Sequence, residues 1–174
     1  MSAELRERLK EVTSMSVGDQ PSALSRLSAS IPNGIKIVCG PIPLDSYTCG
    51  VYAFHLVGDH DYEEIARQDS STFAGEKFVH FLIDRGWLNE RSQSDESEGD
   101  LIIYFRDGRF AHVGLLLASG RVCSKWGTGH IYEHGRWEVP QSYGAEARVF
   151  SHPGREECRA YFLCYARKNG FSEA

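Results

Sequence analysis

The chain lacks the features that would direct it to a membrane, to the secretory route or to nucleic acid. Nowhere do eighteen apolar residues follow one another, and residues 1–12 are charged throughout without an apolar segment. We therefore expect no membrane contact and no classical signal peptide, so that the protein acts in the cytoplasm or is exported by a specialised route. The net charge is −5, and no stretch interleaves basic with aromatic residues, which argues against nucleic acid as a partner.

Cysteines are few, odd in number and irregularly spaced. No two of the five form a Cys-x-x-Cys pair; they stand at Cys39, Cys49, Cys123, Cys158 and Cys164. A disulfide framework is therefore not expected, and the thiols are predicted to be reduced. With 41% hydrophobic and 25% charged residues over a length of 174, the composition is that of one ordinary folded domain.

Residues 1–34 differ in composition from the rest of the chain. Charged residues dominate the first twelve positions, and a serine-rich stretch then leads to a Pro-Asn-Gly breaker. The spacing of Leu24, Leu27 and Ile31 suits one short docked helix. The sequence therefore predicts a helical or flexible N-terminal appendage over residues 1–34 and one folded domain over residues 35–174.

Apolar periodicity in the remaining chain predicts an α+β fold. Two glycine-containing turns divide three apolar runs, which predicts an antiparallel meander over 101–105, 110–117 and 121–126. Further strands are predicted at 35–39, expected to be buried, and at 146–150, and further helices at 72–88 and 155–168.

Cys49 and His112 are the two residues with a mechanistic meaning. A capping signature at Asp45-Ser46 predicts that Cys49 lies in the first turn of a buried helix that ends at Gly58. The unpaired N–H groups of a helix N-terminus favour the thiolate, and the N–H of Cys49 would be one oxyanion donor. His112, from the middle strand of the meander, can share the thiol proton and pass it to a leaving group. The pair predicts a nucleophilic cysteine.

Together these motifs resemble the NlpC family of papain-like cysteine peptidases, over roughly residues 45–130. The resemblance rests on a helix that opens with Cys49, a Gly99-Asp100-Leu101 strand entry, His112-Val113-Gly114 in the following strand and a turn at Gly120. The family usually has Asp-Cys-Ser-Gly at the nucleophile, where this chain has Thr48-Cys49-Gly50. The tail from Ser124 to Gly144 is similar to a bacterial offshoot of papain-like domains.

The resemblance implies a papain-like α+β domain, with N-terminal helices packed on a central antiparallel sheet, that acts on an amide bond. Cys49 would attack the carbonyl, and His112 would act as base and then as acid. The substrate would be a peptide or protein amide, and peptidase, amidase, deamidase and transferase chemistry all fit. We further expect a bacterial effector or toxin with a cognate immunity or inhibitor protein, and no cofactor.

A third side chain is expected to orient His112. The resemblance places it at Ser124, twelve residues after the histidine. A two-residue hairpin turn would instead put Lys125 on the His112 face, whereas a three-residue loop restores Ser124. Glu133 and His134 would reach His112 if the glycine-rich loop around them folded back over the sheet edge. We expect His134, with Ser124 as the alternative, because a neutral imidazole can accept a hydrogen bond from His112.

Less specific interpretations stand beside these. A free cysteine at a helix start is often a small buried hydrophobe, so the alternative function is a catalytically inactive papain-like binding module. His130 and His134 have the i, i+4 spacing of a metal pair, but the surrounding glycines argue against a helix, and no metal is expected. His55 and His80 lie in apolar helical segments and are expected to be core or boundary histidines without a functional role.

Overall fold

The protein combines α-helices with one antiparallel sheet, as the apolar periodicity predicts. A computed structural model describes residues 3–38, 47–68 and 74–171. Within these ranges the helices are α1 (Ala3–Ser14), α2 (Gln20–Ser30), α3 (Cys49–Ala53), α4 (His60–Gln68), α5 (Glu76–Asp84) and α6 (Arg155–Lys168). The strands are β1 (Lys36–Val38), β2 (Leu101–Arg106), β3 (Arg109–Leu116), β4 (Val122–Lys125), β5 (Ile131–His134) and β6 (Glu146–Phe150). None of the helices in these ranges is both long enough and apolar enough to cross a bilayer.

The strands form a single sheet in the order β1-β5-β4-β3-β2-β6. All neighbouring pairs are antiparallel. Strands β2, β3 and β4 are consecutive and hairpin-connected, so the predicted meander is confirmed. The predictions of β6 and α6 are confirmed as well.

Strand β5 is an element that the sequence does not predict. Glycines on both sides of it predict a loop, yet it pairs with β4 along its whole length and with β1 on its other side. The described part of β1 is therefore an edge strand, and Ile37 is 38% exposed rather than buried. Cys39, at the end of the predicted first strand, lies outside the described residues.

Each face of the sheet carries its own hydrophobic core, because alternate residues of every strand point to opposite sides. One face packs against α3 to α6, and its core includes Val51, Phe78, Leu101, Ile103, Val113 and Phe162. The opposite face packs against α1 and α2, and its core includes Leu5, Leu9, Leu24, Leu27, Tyr104 and Tyr132.

The first 34 residues contribute two helices to this arrangement. Leu5 and Leu9 of α1 and Leu24 and Leu27 of α2 are buried against the sheet. Apolar residues recur at three- and four-residue intervals in both helices, which gives each helix one buried stripe. This segment thus supplies one wall of the second core.

Helix α3 is shorter than predicted, because it ends at Ala53 rather than at Gly58. His55 adopts a positive φ of 57°. The N–H groups of His55 and Leu56 bond back to carbonyls of the last helical turn, at 3.1 and 2.9 Å. This pair of bonds is a Schellman motif. It ends the helix at Ala53 although the apolar residues Leu56 and Val57 follow.

Helix α5 likewise occupies only the middle of the predicted 72–88 segment. Gly75 stands at its N-cap, and Gly86 follows its end with a φ of 66°. The stop at Gly86 is as predicted, whereas Phe73 lies outside the described residues. Helix α4 has no counterpart among the predicted elements.

Candidate functional site

Cys49 is the first residue of α3 and is half-buried. Thr48 occupies the N-cap position, and the predicted Asp45-Ser46 cap lies outside the described residues. A Cβ added to Gly50 would lie 1.7 Å from the carbonyl oxygen of Ala74. Only glycine permits this approach, which fixes the start of α3 between Ala74 and strand β3.

Cys49 and His112 line the same cavity, which has a volume of about 320 Å³. Strands β3 and β4 are paired at only two positions, both next to the turn that connects them. The cavity lies beyond these pairs, beside Ala111 and His112 of β3 and Gly127 after β4. Cys49 reaches it from the face that packs against α3 to α6, and His112 reaches it from the face that packs against α1 and α2. The rest of the wall is mainly apolar and includes Ala74, Phe110, Ala111 and Tyr143.

The length of the β3–β4 connection decides which residue of β4 faces His112. A backbone hydrogen bond of 2.9 Å across the connection encloses residues 118–120. With this three-residue loop, Ser124 falls on the His112 face of the sheet and Lys125 on the other. The chain therefore forms the three-residue loop and not the two-residue turn.

The Ser124 hydroxyl group is buried and has three hydrogen-bond partners. Its Oγ lies 2.9 Å from Nε2 of His112, 2.8 Å from Nε2 of His134 and 3.0 Å from Nε1 of Trp126. Nδ1 of His134 lies 2.8 Å from the carbonyl oxygen of Gly135. The four side chains thus form one buried hydrogen-bonded chain that ends on a backbone carbonyl.

The position of every proton in this chain follows from its two ends. The Gly135 carbonyl can only accept, so Nδ1 of a neutral His134 carries its proton and Nε2 is bare. The Ser124 hydroxyl then donates to His134 and accepts from the indole N–H of Trp126. Its remaining lone pair must accept from His112, which places the His112 proton on Nε2. Nδ1 of His112 is left as an unprotonated base.

The three residues considered as the side chain that orients His112 have different hydrogen-bond partners. Ser124 bonds His112 directly. The prediction that His134 bonds His112 is wrong, because Ser124 lies between the two histidines. The prediction of a loop folded back over the sheet edge is wrong as well, because His134 belongs to strand β5. Glu133 lies on the opposite face of β5, where its carboxylate pairs with Arg121 at 2.6 Å.

Burial keeps both histidines uncharged near neutral pH. Desolvation lowers the pKa of His112 well below its ordinary value of 6.5, and electrostatic repulsion between His112 and His134 in their protonated forms lowers it further. Desolvation also lowers the pKa of His134 to about 4, against a smaller opposing effect of the Gly135 carbonyl. The proton assignment above therefore holds for the resting protein.

The Cys49 thiol differs from its sequence-based prediction. Burial raises its pKa, and the backbone N–H groups of Val113, Gly50 and Cys49 and the charge of Lys125 oppose this rise without reversing it. The helix N-terminus predicts a lowered pKa, but α3 has only five residues and its partial charge does not outweigh desolvation. At rest, the site is a neutral thiol and a neutral imidazole.

Tyr143 belongs to the same site although no sequence motif identifies it. Its ring lies parallel to the His112 imidazole, with centroids 3.9 Å apart and 12° between the planes. Burial and the charge of Cys49 raise the pKa of Tyr143 well above its ordinary value, so the phenol stays protonated. It was missed because it lies in a short 3₁₀ turn, Gln141–Tyr143, far along the chain from His112.

The other histidines considered from the sequence lie away from the cavity. His55 is exposed at the end of α3, where its ring lies against that of His152 with centroids 4.6 Å apart. His80 accepts a hydrogen bond from a backbone N–H of β3 at 3.4 Å. His130 donates to a backbone carbonyl of the α1–α2 loop at 3.0 Å, whereas His134 bonds Ser124, so the two do not share a metal site.

The chain has no significant match among protein-family models, curated proteins or solved structures. Functional inference therefore rests on the geometry of the cavity and on the chemistry of its side chains.

Proposed function

We propose that the chain is a papain-like cysteine hydrolase or transferase that acts on a peptide or protein amide through Cys49 and His112. The observation that supports this most strongly is the proton assignment of the buried chain. It leaves Nδ1 of His112 as the free base in a cavity that also contains the cysteine. His134 has a fixed tautomer too, but only His112 of the two lines the cavity beside Cys49.

The first chemical step follows from this arrangement. The sulfur of Cys49 bonds to the substrate carbonyl carbon while its proton passes to Nδ1 of His112. The carbonyl oxygen becomes an oxyanion, which the backbone N–H of Cys49 can stabilise. The new imidazolium keeps its Nε2–H bond to Ser124, which strengthens because the donor is now charged.

The second step returns the proton. Nδ1–H of His112 protonates the amide nitrogen as the carbon–nitrogen bond breaks, and the carbonyl forms again as a thioester on Cys49. Water completes a hydrolysis and an amine completes a transfer, and in both cases His112 removes the proton of the attacking group. The thiol and the neutral imidazole are then restored.

A neutral resting pair makes proton transfer part of the attack. The raised pKa of Cys49 and the lowered pKa of His112 disfavour a standing thiolate–imidazolium pair. Transfer is expected only once substrate supplies the electrophile, as in a serine hydrolase. A cysteine site of this type should be protected from adventitious alkylation and oxidation.

The test is a comparison of cysteine variants on a library of fluorogenic peptide amides. Wild-type protein should release amine, and Cys49→Ala and His112→Ala should lose at least about a hundredfold in kcat/KM. Cys164→Ala is the matched control, because Cys164 is also half-buried and free but lies on α6. Amine release that survives in Cys49→Ala would refute the proposal.

The raised thiol pKa is also the observation that favours the alternative, an inactive papain-like binding module. The two functions differ in what a substrate-like electrophile does to Cys49. For the enzyme, a peptide vinyl sulfone should label Cys49 much faster than iodoacetamide does, relative to a free thiol, and the advantage should vanish in His112→Ala. For the module, both reagents should react slowly and His112→Ala should change neither rate.

A further inference from the structure

The N-terminal helix α1 reaches the segment that carries Tyr143. Nε of Arg6 donates to the carbonyl of Val139 at 3.2 Å, and its Nη2 donates to the carbonyl of Gly144. The same guanidinium lies 5.5 Å from the ring centroid of Trp137. One side chain of α1 thus holds the chain on both sides of the Gln141–Tyr143 turn.

The other side of this turn is fixed against β2. Gly144 has a φ of 96°, and a Cβ there would lie 1.9 Å from the carbonyl oxygen of Phe105. The turn is therefore held between β2 on one side and Arg6 on the other. Tyr143, the last residue of the turn, has little freedom to move away from His112.

Tyr143 in turn limits what the His112 ring can do. The two rings are nearly parallel at 3.9 Å, so rotation of the imidazole about its Cβ–Cγ bond would drive its edge into the tyrosine. A half-turn would put Cε1 in place of Nε2 beside Ser124 and would turn Nδ1 to the opposite side of the ring. The stacked ring therefore keeps Nε2 on Ser124 and leaves Nδ1 as the free nitrogen.

We infer that Tyr143 and Arg6 are positioning residues for His112, and that α1 is consequently part of the catalytic unit. This inference rests on the proposed function for its kinetic consequence, but not for the ring geometry itself. Arg6 acts through the turn, and Tyr143 acts through the face of its ring. Neither is assigned a bond to substrate.

The experiment compares four single substitutions in the full chain. Arg6→Ala removes the bonds to Val139 and Gly144. Arg8→Ala is its control, because Arg8 is on the same helix and pairs with Glu11 on the surface. Tyr143→Leu removes the aromatic face, and Tyr143→Phe retains it. Each variant is first shown to be folded by circular dichroism and thermal melting. If Arg6→Ala does not fold, Tyr143→Leu decides.

Two readouts are then measured. The kcat of the best fluorogenic peptide amide should fall about tenfold in Arg6→Ala and about a hundredfold in Tyr143→Leu, with little change in KM. Arg8→Ala should stay within about twofold of wild type, and Tyr143→Phe should recover most of what Tyr143→Leu loses. Nitrogen-15 NMR of the His112 ring should show a pure Nε2–H tautomer in wild type and a tautomer mixture in Arg6→Ala and Tyr143→Leu.

Folded Arg6→Ala and Tyr143→Leu proteins with the wild-type tautomer and wild-type kcat would overturn the inference. A loss in Tyr143→Phe equal to that in Tyr143→Leu would also overturn it, because the hydroxyl rather than the ring would then be needed. If wild type hydrolyses no amide, the proposed function fails, and the NMR result alone decides whether the two residues position His112.

Discussion

Ser124 shows how one small residue can fix the protonation of a site. A serine is ordinarily a weak orienter of histidine, because its hydroxyl group can rotate and serve as donor or acceptor. Here Trp126 and His134 each restrict it, since one can only donate and the other can only accept. These two contacts commit the hydroxyl proton and one lone pair, so His112 must donate to the lone pair that remains.

We expect Ser124→Ala to affect both turnover and stability. Loss of Oγ leaves buried nitrogens of His112, His134 and Trp126 without a partner, which should cost about 1–3 kcal/mol of unfolding free energy. It also frees the tautomer of His112, so kcat should fall about tenfold or more. Urea unfolding and steady-state kinetics measure the two effects.

His134 should act on turnover through Ser124 and by no other path. The kcat of the double variant Ser124→Ala/His134→Ala is therefore expected to be no lower than that of Ser124→Ala alone. Ser119→Ala, in the exposed β3–β4 loop, serves as the control for loss of a hydroxyl. Additive losses in the double variant would mean that the two residues act independently.

At the scale of elements, the pairing of β3 with β4 determines the site. Gly114 lies two residues after His112 on the same face, and a Cβ there would lie 2.7 Å from both Ser124 Cβ and Val122 Cγ1. The absence of a side chain at this position lets β4 approach closely enough for the Ser124–His112 bond. The His-Val-Gly motif thus includes a residue that acts by being small.

Gly114→Ala is expected to push β4 away from β3. The overpacking should cost about 1–3 kcal/mol, and the loss of the 2.9 Å bond should lower kcat as Ser124→Ala does. Gly18→Ala is the control, because Gly18 has open space around its Cα. A Gly114→Ala protein with unchanged melting temperature and kcat would show that the strands can adjust at no cost.

Elements with strong local signals were predictable, and those decided by distant partners were not. The meander, β6 and α6 have clear apolar periods and flanking glycines, and the structure has them. β5 has glycines on both sides and becomes a strand only because β4 and β1 offer partners. Helix α3 ends early through a Schellman motif with histidine in the position that usually carries glycine, which local sequence does not signal.

The candidate site was predictable to a similar extent. The types and order of Cys49 and His112 predict a cysteine-dependent chemistry. The choice between Ser124 and Lys125 as the partner of His112 depends on whether the β3–β4 loop has two residues or three. Because side chains alternate along a strand, Ser124 lies on the face of His112 and Lys125 lies on the opposite face. The charge of Lys125 there favours the thiolate form of Cys49. Tyr143 could not be found because its position depends on α1 and β2 together.

At the scale of the whole molecule, the buried histidines should make folding sensitive to acid. In the unfolded chain, histidines take up protons below about pH 6.5. In the folded protein, His134 resists protonation down to about pH 4, and the pKa of His112 and His152 is lowered as well. The unfolded state therefore binds more protons in this window, so stability is complete above about pH 6.5 and is lost as the pH falls.

For His134 alone, we expect the unfolding free energy to fall by about 1.4 kcal/mol per pH unit between about pH 6.5 and about pH 4, and the lowered pKa values of His112 and His152 change it in the same direction. Urea unfolding at several pH values measures the slope. His134→Gln cannot take up a proton at this position and should make the slope shallower by about one histidine's share. Equal slopes in the two proteins would show that His134 is not protected in the folded state.

The sheet order also has a consequence for how the protein is made. Strand β1 pairs with β5, as Lys36 does with Glu133, and Arg6 bonds to carbonyls more than 130 residues further along. Such contacts close long loops and form late, whereas the β2–β3–β4 hairpins form early. On the ribosome, Arg6 of α1 is synthesised long before Val139 and Gly144, to which it bonds. Cys49 and His112 can thus be synthesised, and even brought near each other, before Arg6 fixes the turn that carries Tyr143, so under the proposed function a nascent chain would stay inactive until Gly144 has been added.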